Sequence, residues 1–180
     1  MSLVLSVLAL AAGLAAVAAG CGGGKSAEEK WADSVCTDLG NWKSQVTQAT
    51  NDIAEKVRSP EQGTLPAMKA DVQKLVDASQ QLAQNLNSLA APKTQSGAQA
   101  KQQLETFSSD LQTTTNKAKQ TLATVPENAG LVETAKQLAP LAPDLQSLAA
   151  GAKSTVQSIE ASSSDLKQGF DQADSCKQLR

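Results

Sequence analysis

Residues 31–57 read WADSVCTDLGNWKSQVTQATNDIAEKV. The apolar side chains in this stretch recur at intervals of three or four residues, at Trp31, Val35, Leu39, Trp42, Val46, Ala49, Ile53 and Val57. That spacing places them all on one face of an α-helix. The pattern therefore predicts a long amphipathic helix from about Ala27 to Val57, and the Ser59-Pro60 pair followed by Gly63 ends it.

Two further stretches carry the same periodicity. A second helix is predicted from about Leu65 to Ala90, where Ser79 is the one polar residue in a heptad-like apolar stripe. A third is predicted from about Ala98 to Val125, with Thr114 or Thr115 at a position where an apolar residue is expected. Proline and glycine residues separate these stretches, so the connections between helices should be short.

A fourth helical stretch starts near Leu131 and continues toward Cys176. Pro140 and Pro143 predict a kink or a short break early in it, and residues 162–164 form a polar serine patch. No segment shows the alternating pattern of a β-strand. Because short connections make consecutive helices antiparallel, residues 28–180 are predicted to form an all-α, up-down-up-down four-helix bundle.

The composition argues against several functions. With 16 basic and 18 acidic residues, the net charge is −2, which does not suit a nucleic-acid-binding protein. The chain has no histidine, so neither a Ser-His-Asp triad nor a histidine metal ligand is possible. The acidic residues Glu28, Glu29, Asp33 and Asp38 fit the start of a helix better than a calcium site. We therefore expect no catalysis, no metal and no cofactor.

The first twenty residues contain no charged side chain and lead into Val-Ala-Ala-Gly-Cys-Gly-Gly-Gly at residues 17–24. This segment, with Ala18-Ala19-Gly20-Cys21, resembles the lipobox of bacterial lipoproteins. The resemblance implies that residues 1–20 are a signal peptide, that Cys21 carries lipid such as palmitate, and that residues 21–27 are a flexible tether. It also implies that the domain lies on the extracytoplasmic face of the cell membrane. A transmembrane helix with a cytoplasmic domain is the alternative.

Lipidation of Cys21 would leave Cys36 and Cys176 as a pair. Paired cysteines in an exported domain more often form a disulfide than remain free, although two buried thiols are the alternative. An up-down-up-down bundle places the start of the first helix and the end of the fourth at the same end of the molecule. The predicted disulfide would close a loop of about 140 residues and stabilise the fold by roughly 5 kcal/mol in the chain-entropy model.

The segment Trp31-Ala32-Asp33-Ser34-Val35-Cys36, together with Asp174-Ser175-Cys176, resembles uncharacterised helical secreted proteins and lipoproteins of actinobacteria. In that group a tryptophan and a cysteine open the first helix, and a second cysteine lies near the end. The resemblance implies a helical domain closed by a disulfide. It implies no activity.

Two other features have simpler interpretations. Residues 19–26 match a loose phosphate-loop pattern, but no strand precedes them, so we expect no nucleotide binding. Trp31 and Trp42 lie three helical turns apart. They could form an exposed platform for a ligand, but in a chain so poor in aromatic residues they are better explained as anchors of the core.

Two functions are compatible with the sequence. The first is a structural or protein-interaction role at the cell envelope, with an unidentified envelope protein as partner. The second is a carrier for a small apolar or lipid-like ligand between the helices, where Ala49, Ala118, Ala149 and Ala152 could leave room. A continuous apolar cavity above about 300 Å³ would favour the carrier, and a tightly filled core would exclude it.

Overall fold

The computed structural model describes residues 24–59, 64–126 and 129–179, and within these ranges every regular element is a helix. The prediction of an all-α domain is confirmed for these residues. Cys21 and the predicted signal peptide lie outside them. The helices are α1 (Ala27–Arg58), α2 (Thr64–Ser88), α3 (Gln95–Thr124), α4 (Leu131–Leu138), α5 (Leu141–Ser162), α6 (Ser164–Gln172) and a 3₁₀ helix (Asp174–Gln178).

Local sequence explains where two of the long helices begin. Ser26 precedes α1, and its hydroxyl oxygen accepts a hydrogen bond from the backbone N–H of Glu29 at 3.0 Å. Thr94 caps α3 in the same way through the N–H of Gly97, also at 3.0 Å. Such caps satisfy backbone donors that the first turn of a helix leaves unpaired.

The fourth predicted helix differs from expectation. A break near Pro140 was expected, and α4 does end at Leu138 before α5 begins. The second break, at Ser163, was not predicted. Ser163 adopts an extended backbone conformation, and its hydroxyl oxygen accepts the N–H of Leu166 at 3.1 Å, so it ends α5 and caps α6. Cys176 consequently lies on the 3₁₀ helix, not at the end of one long helix.

Hydrogen bonds between α1 and α2 give their relative direction. Asn85 bonds to Asp38 near the start of α1, whereas Asp71 bonds to Lys56 near its end. As the residue number increases along α1, the number of its partner in α2 decreases. The two helices are therefore antiparallel. The same reversal relates α2 to α3, which Lys101 and Lys69 join through backbone carbonyls at opposite ends.

The final segments run differently. Gly169 of α6 lies against Glu28, and Cys176 of the 3₁₀ helix is bonded to Cys36. Along this contact the residue numbers increase in the same direction in both segments. The chain after Ser163 is therefore parallel to α1. Both α6 and the 3₁₀ helix contact α1.

The core consists of two apolar clusters. The larger cluster includes both tryptophans, and Trp31 and Trp42 are 4% and 1% exposed, so their prediction as core anchors is confirmed. Each tryptophan packs edge-on against a phenylalanine, Trp31 against Phe170 and Trp42 against Phe107. The smaller cluster contains Met68, Val72, Val76, Ala118, Val125, Leu138 and Leu141.

Candidate functional site: an apolar cavity between the helices

The smaller cluster does not fill the space that its helices enclose. A cavity of about 350 Å³ remains there, bordered by side chains from α1, α2, α3, α4 and α5. Its wall is overwhelmingly apolar. It is lined by Thr50, Ile53, Val57, Met68, Val72, Leu75, Val76, Ser79, Thr114, Thr115, Ala118, Ala135, Leu138, Ala139, Leu141 and Leu145.

The apolar cavity lies at the end of α1 that is remote from the disulfide. Its first lining residue on α1 is Thr50, which is 23 residues beyond Ala27 and therefore about 35 Å along the helix axis. Cys36 lies much nearer the start of α1. The covalently closed end and the hollow end are thus different ends of the molecule.

The short helix α4 forms one wall of the apolar cavity. Ala135, Leu138 and Ala139 line it, and the two alanines leave room that larger side chains would occupy. Proline and glycine residues flank α4, with Gly130 immediately before it and Pro140 soon after. This wall is therefore an eight-residue helix, which follows extended backbone at Gly130 and is separated from α5 by a two-residue turn at Ala139 and Pro140.

Two exposed apolar side chains lie on the elements that border the apolar cavity. Val57, a lining residue, is 42% exposed, and Val132 on α4 is 70% exposed. At Val57 the wall of the apolar cavity is therefore open to solvent.

Four polar residues line the wall, and two of them, Ser79 and Thr115, are buried. The indole N–H of Trp42 donates to the hydroxyl oxygen of Ser79 at 2.9 Å, and Ser79 is only 3% exposed. The Thr115 hydroxyl donates to the backbone carbonyl of Leu111 at 2.7 Å. These residues occupy the polar positions that interrupt the predicted apolar stripes of the second and third helices. The sequence pattern reveals both interruptions, but it does not predict a cavity.

The alanines predicted to leave room for a ligand are distributed differently. Of the four, Ala118 alone lines the apolar cavity. Ala49 and Ala152 are buried in the larger cluster, and Ala149 packs against it. Ala49 also borders a separate depression of about 220 Å³ whose other lining residues are mostly polar.

A larger depression, of about 510 Å³, lies along the outer face of α1. It is lined mainly by polar residues, including Lys43, Asn51 and Asp52, and it is open to solvent. Water already satisfies such groups, so this depression offers little gain from ligand burial. The smaller apolar cavity is the better candidate site.

Charged side chains surround the apolar cavity without lining it. Asp71 is buried on α2 and accepts hydrogen bonds from Lys56 of α1 and from Lys74. Burial by itself would raise the pKa of Asp71, but the hydrogen bonds from the two lysines outweigh it and lower that pKa. Lys117 and Asp144 join α3 to α5 at 2.7 Å. The Lys56–Asp71 and Lys117–Asp144 pairs each join two helices that contribute to the cavity wall.

The opposite end of the molecule contains the disulfide between Cys36 and Cys176, whose Cα atoms are 4.9 Å apart. The two cysteines are therefore not free thiols. Beside them, the Ser175 hydroxyl donates to Asp33 at 2.7 Å, and Lys25 donates to the same carboxylate at 2.9 Å. These two hydrogen bonds lower the pKa of Asp33.

No protein-family model, curated protein or solved structure matches this chain. Within the described ranges, none of the helices combines the length and hydropathy needed to span a bilayer. In the same ranges, no group of His, Cys, Asp and Glu side chains is arranged to hold a metal ion.

Proposed function

We propose that this protein binds a small apolar molecule in the cavity between its helices. The cavity of about 350 Å³ is the observation that carries this proposal. Its volume falls within the range of small-molecule sites, and its wall has the mostly apolar character of such sites. A ligand there would bury hydrocarbon surface that water otherwise contacts, which favours binding at roughly 25 cal/mol per Å².

The proposed architecture is a four-helix bundle of α1, α2, α3 and α5. Antiparallel hydrogen bonding supports the α1–α2 and α2–α3 pairs, and Lys117–Asp144 joins α3 to α5. In this arrangement α4 closes the end of the bundle that contains the apolar cavity. At the end that contains the disulfide, α6 and the 3₁₀ helix pack along α1. Binding between helices is a common use of bundle cores.

The proposed location is the extracytoplasmic face of the cell membrane, through lipid on Cys21. The lipobox-like sequence and the disulfide support it, because disulfides persist in oxidising compartments. A tether at Cys21 would hold the start of α1 near the membrane and the cavity about 35 Å farther along the helix. Palmitate labelling tests the anchor: wild type should be labelled and Cys21→Ala should not. Labelling of the variant would contradict the proposal.

Binding to an apolar environment-sensitive dye, N-phenyl-1-naphthylamine, tests the function. Ala118→Phe fills the cavity with an aromatic ring and should weaken dye binding at least tenfold. Ala98→Phe, on an exposed position of the same helix, is the matched control and should leave the affinity unchanged. Failure of the wild type to bind the dye, or equal binding by Ala118→Phe, would refute the proposal.

Neither catalysis nor a cofactor is part of this proposal, and neither nucleic acid nor nucleotide is proposed as a ligand. The structural or protein-interaction role at the cell envelope stays a prediction from the sequence. Crosslinking in intact cells would test it independently of the dye experiment. Capture of one specific envelope protein by Ala118→Phe as well as by wild type would support a role that does not require the cavity.

A further inference from the structure

The wall of the apolar cavity excludes charged ligands. None of its lining residues is Asp, Glu, Lys or Arg. An ionised group placed inside would lose its hydration without gaining a partner of opposite charge, which is strongly unfavourable. The part of a ligand that occupies this cavity should therefore be uncharged.

Ser79 gives the cavity one unused hydrogen-bond donor. An indole N–H can only donate, so the oxygen of Ser79 is the acceptor in its bond with Trp42. The hydroxyl hydrogen of Ser79 must then point elsewhere. Among the described residues, the Ser79 hydroxyl donates no hydrogen bond. A buried donor without a partner is costly, and a ligand acceptor would remove that cost.

The other hydroxyls of the wall differ from Ser79. The hydroxyl hydrogen of Thr115 is already used by the Leu111 carbonyl. Thr50 and Thr114 are only half-buried, so neither residue is enclosed as Ser79 is. Ser79 is therefore the group that gives the cavity chemical selectivity.

We infer that the ligand is an uncharged, mainly hydrocarbon molecule with a carbonyl oxygen that accepts a hydrogen bond from Ser79. This inference rests on the proposed function, and it specifies the class of ligand: esters and ketones, in preference to pure hydrocarbons and to carboxylates. Trp42 orients Ser79, because the indole N–H donates its hydrogen bond to the serine oxygen.

Three probes of equal size test the inference: 2-acetylnaphthalene, 2-isopropylnaphthalene and 2-naphthoate. The ketone should bind wild type about threefold to tenfold more tightly than the hydrocarbon, as expected for one neutral hydrogen bond. The carboxylate should bind at least a hundredfold more weakly than the ketone. Affinities are measured by displacement of the dye.

Ser79→Ala should bind the ketone and the hydrocarbon equally. Thr115→Val is the matched control, since it removes a cavity hydroxyl whose hydrogen is already used, and it should keep the preference. A second measurement does not depend on a variant. The carbonyl stretch of 2-acetylnaphthalene bound to wild type should lie at lower wavenumber than in a hydrocarbon solvent, as a hydrogen-bonded carbonyl does.

The outcomes separate the two proposals. If neither neutral probe binds wild type, the proposed function is wrong. If both bind equally well, or if the carboxylate binds as well as the ketone, the cavity binds apolar ligands but the inference about Ser79 is wrong. An unshifted carbonyl stretch would also overturn it.

Discussion

Gly169 of α6 lies so close to Glu28 in the first turn of α1 that a methyl group at residue 169 would come within 2.8 Å of the Glu28 carbonyl carbon. The contact is with backbone, which cannot rotate away as a flexible side chain can. It lets α6 approach α1 closely enough for Phe170 to meet Trp31 with ring centres 5.9 Å apart. Close packing of α6 against α1 therefore requires glycine at residue 169.

Gly169→Ala should lower the free energy of unfolding by about 1–3 kcal/mol, because it overpacks a tight contact. This outcome is opposite in sign to helix propensity, which favours alanine over glycine by about 1 kcal/mol. Gly151→Ala is the control: its new methyl group would meet Phe107 at an ordinary 3.6 Å, so stability should rise slightly. Urea denaturation of both variants measures the difference. Equal stabilisation by both would contradict the close packing at Gly169.

Replacing both disulfide cysteines, Cys36→Ala with Cys176→Ala, should lower the free energy of unfolding by up to about 5 kcal/mol. The bond joins residues 140 positions apart, and such a long loop is costly to order in a chain without the cross-link. Thermal and urea denaturation of the double variant, beside oxidised wild type, measure the loss. An unchanged urea midpoint would show that covalent closure adds no stability.

Asp71→Asn should lower stability at neutral pH by about 1–2 kcal/mol, because it weakens the hydrogen bonds of a buried carboxylate with Lys56 and Lys74. Since folding lowers the pKa of Asp71, the stability that its ionised form gives is present above about pH 4 and is lost as the pH falls through the folded-state pKa. The gap between variant and wild type should therefore narrow in acid.

Urea midpoints measured from neutral pH to pH 3 test this pH dependence. Asp77→Asn, at an exposed position of the same helix, should change stability by less than about 0.5 kcal/mol throughout. The pKa of Lys56 is raised, chiefly by its hydrogen bond to Asp71, so the lysine stays protonated across this pH range and Asp71 is the member of the pair that titrates. A gap for Asp71→Asn that stays constant down to pH 3 would contradict the assigned role of the carboxylate.

Thr134→Val should raise the free energy of unfolding by about 1 kcal/mol. Thr134 on α4 is fully buried, and its hydroxyl has no hydrogen-bond partner among the described residues. Valine keeps the branched shape and removes the unsatisfied group. Thr115→Val serves as the comparison, since that hydroxyl is bonded to Leu111 and its removal should not stabilise. Loss of stability in Thr134→Val would point to an unrecognised partner for the hydroxyl.

The helices were largely predictable from the sequence because apolar spacing determines which face of a helix is buried. Every member of the first stripe from Trp31 to Ala49 is buried. Toward the end of that helix the rule weakens, and Val57 is exposed beside the cavity. The break at Ser163 depends on one cap geometry, and a run of serines does not show which member will adopt the extended conformation.

The apolar cavity was harder to predict, because a cavity is a difference between the volume that helices enclose and the volume that side chains fill. Ser79 and Thr115 were recognisable as polar interruptions in apolar stripes. Their meaning depends on the helix packing that brings both to one wall, and on the end of α4 at Leu138. The periodicity of a single helix encodes neither the packing between helices nor the position at which α4 ends.

The bond between Cys36 and Cys176 also determines how the molecule transmits mechanical force. Tension applied between residue 24 and residue 179 would pass through the first turns of α1, cross the disulfide and leave through the 3₁₀ helix. Residues 37–175 would lie outside this load path for as long as the bond is intact. If the protein is held at residue 24 and pulled at residue 179, the intact disulfide therefore carries the force. The helices that border the apolar cavity are then not deformed.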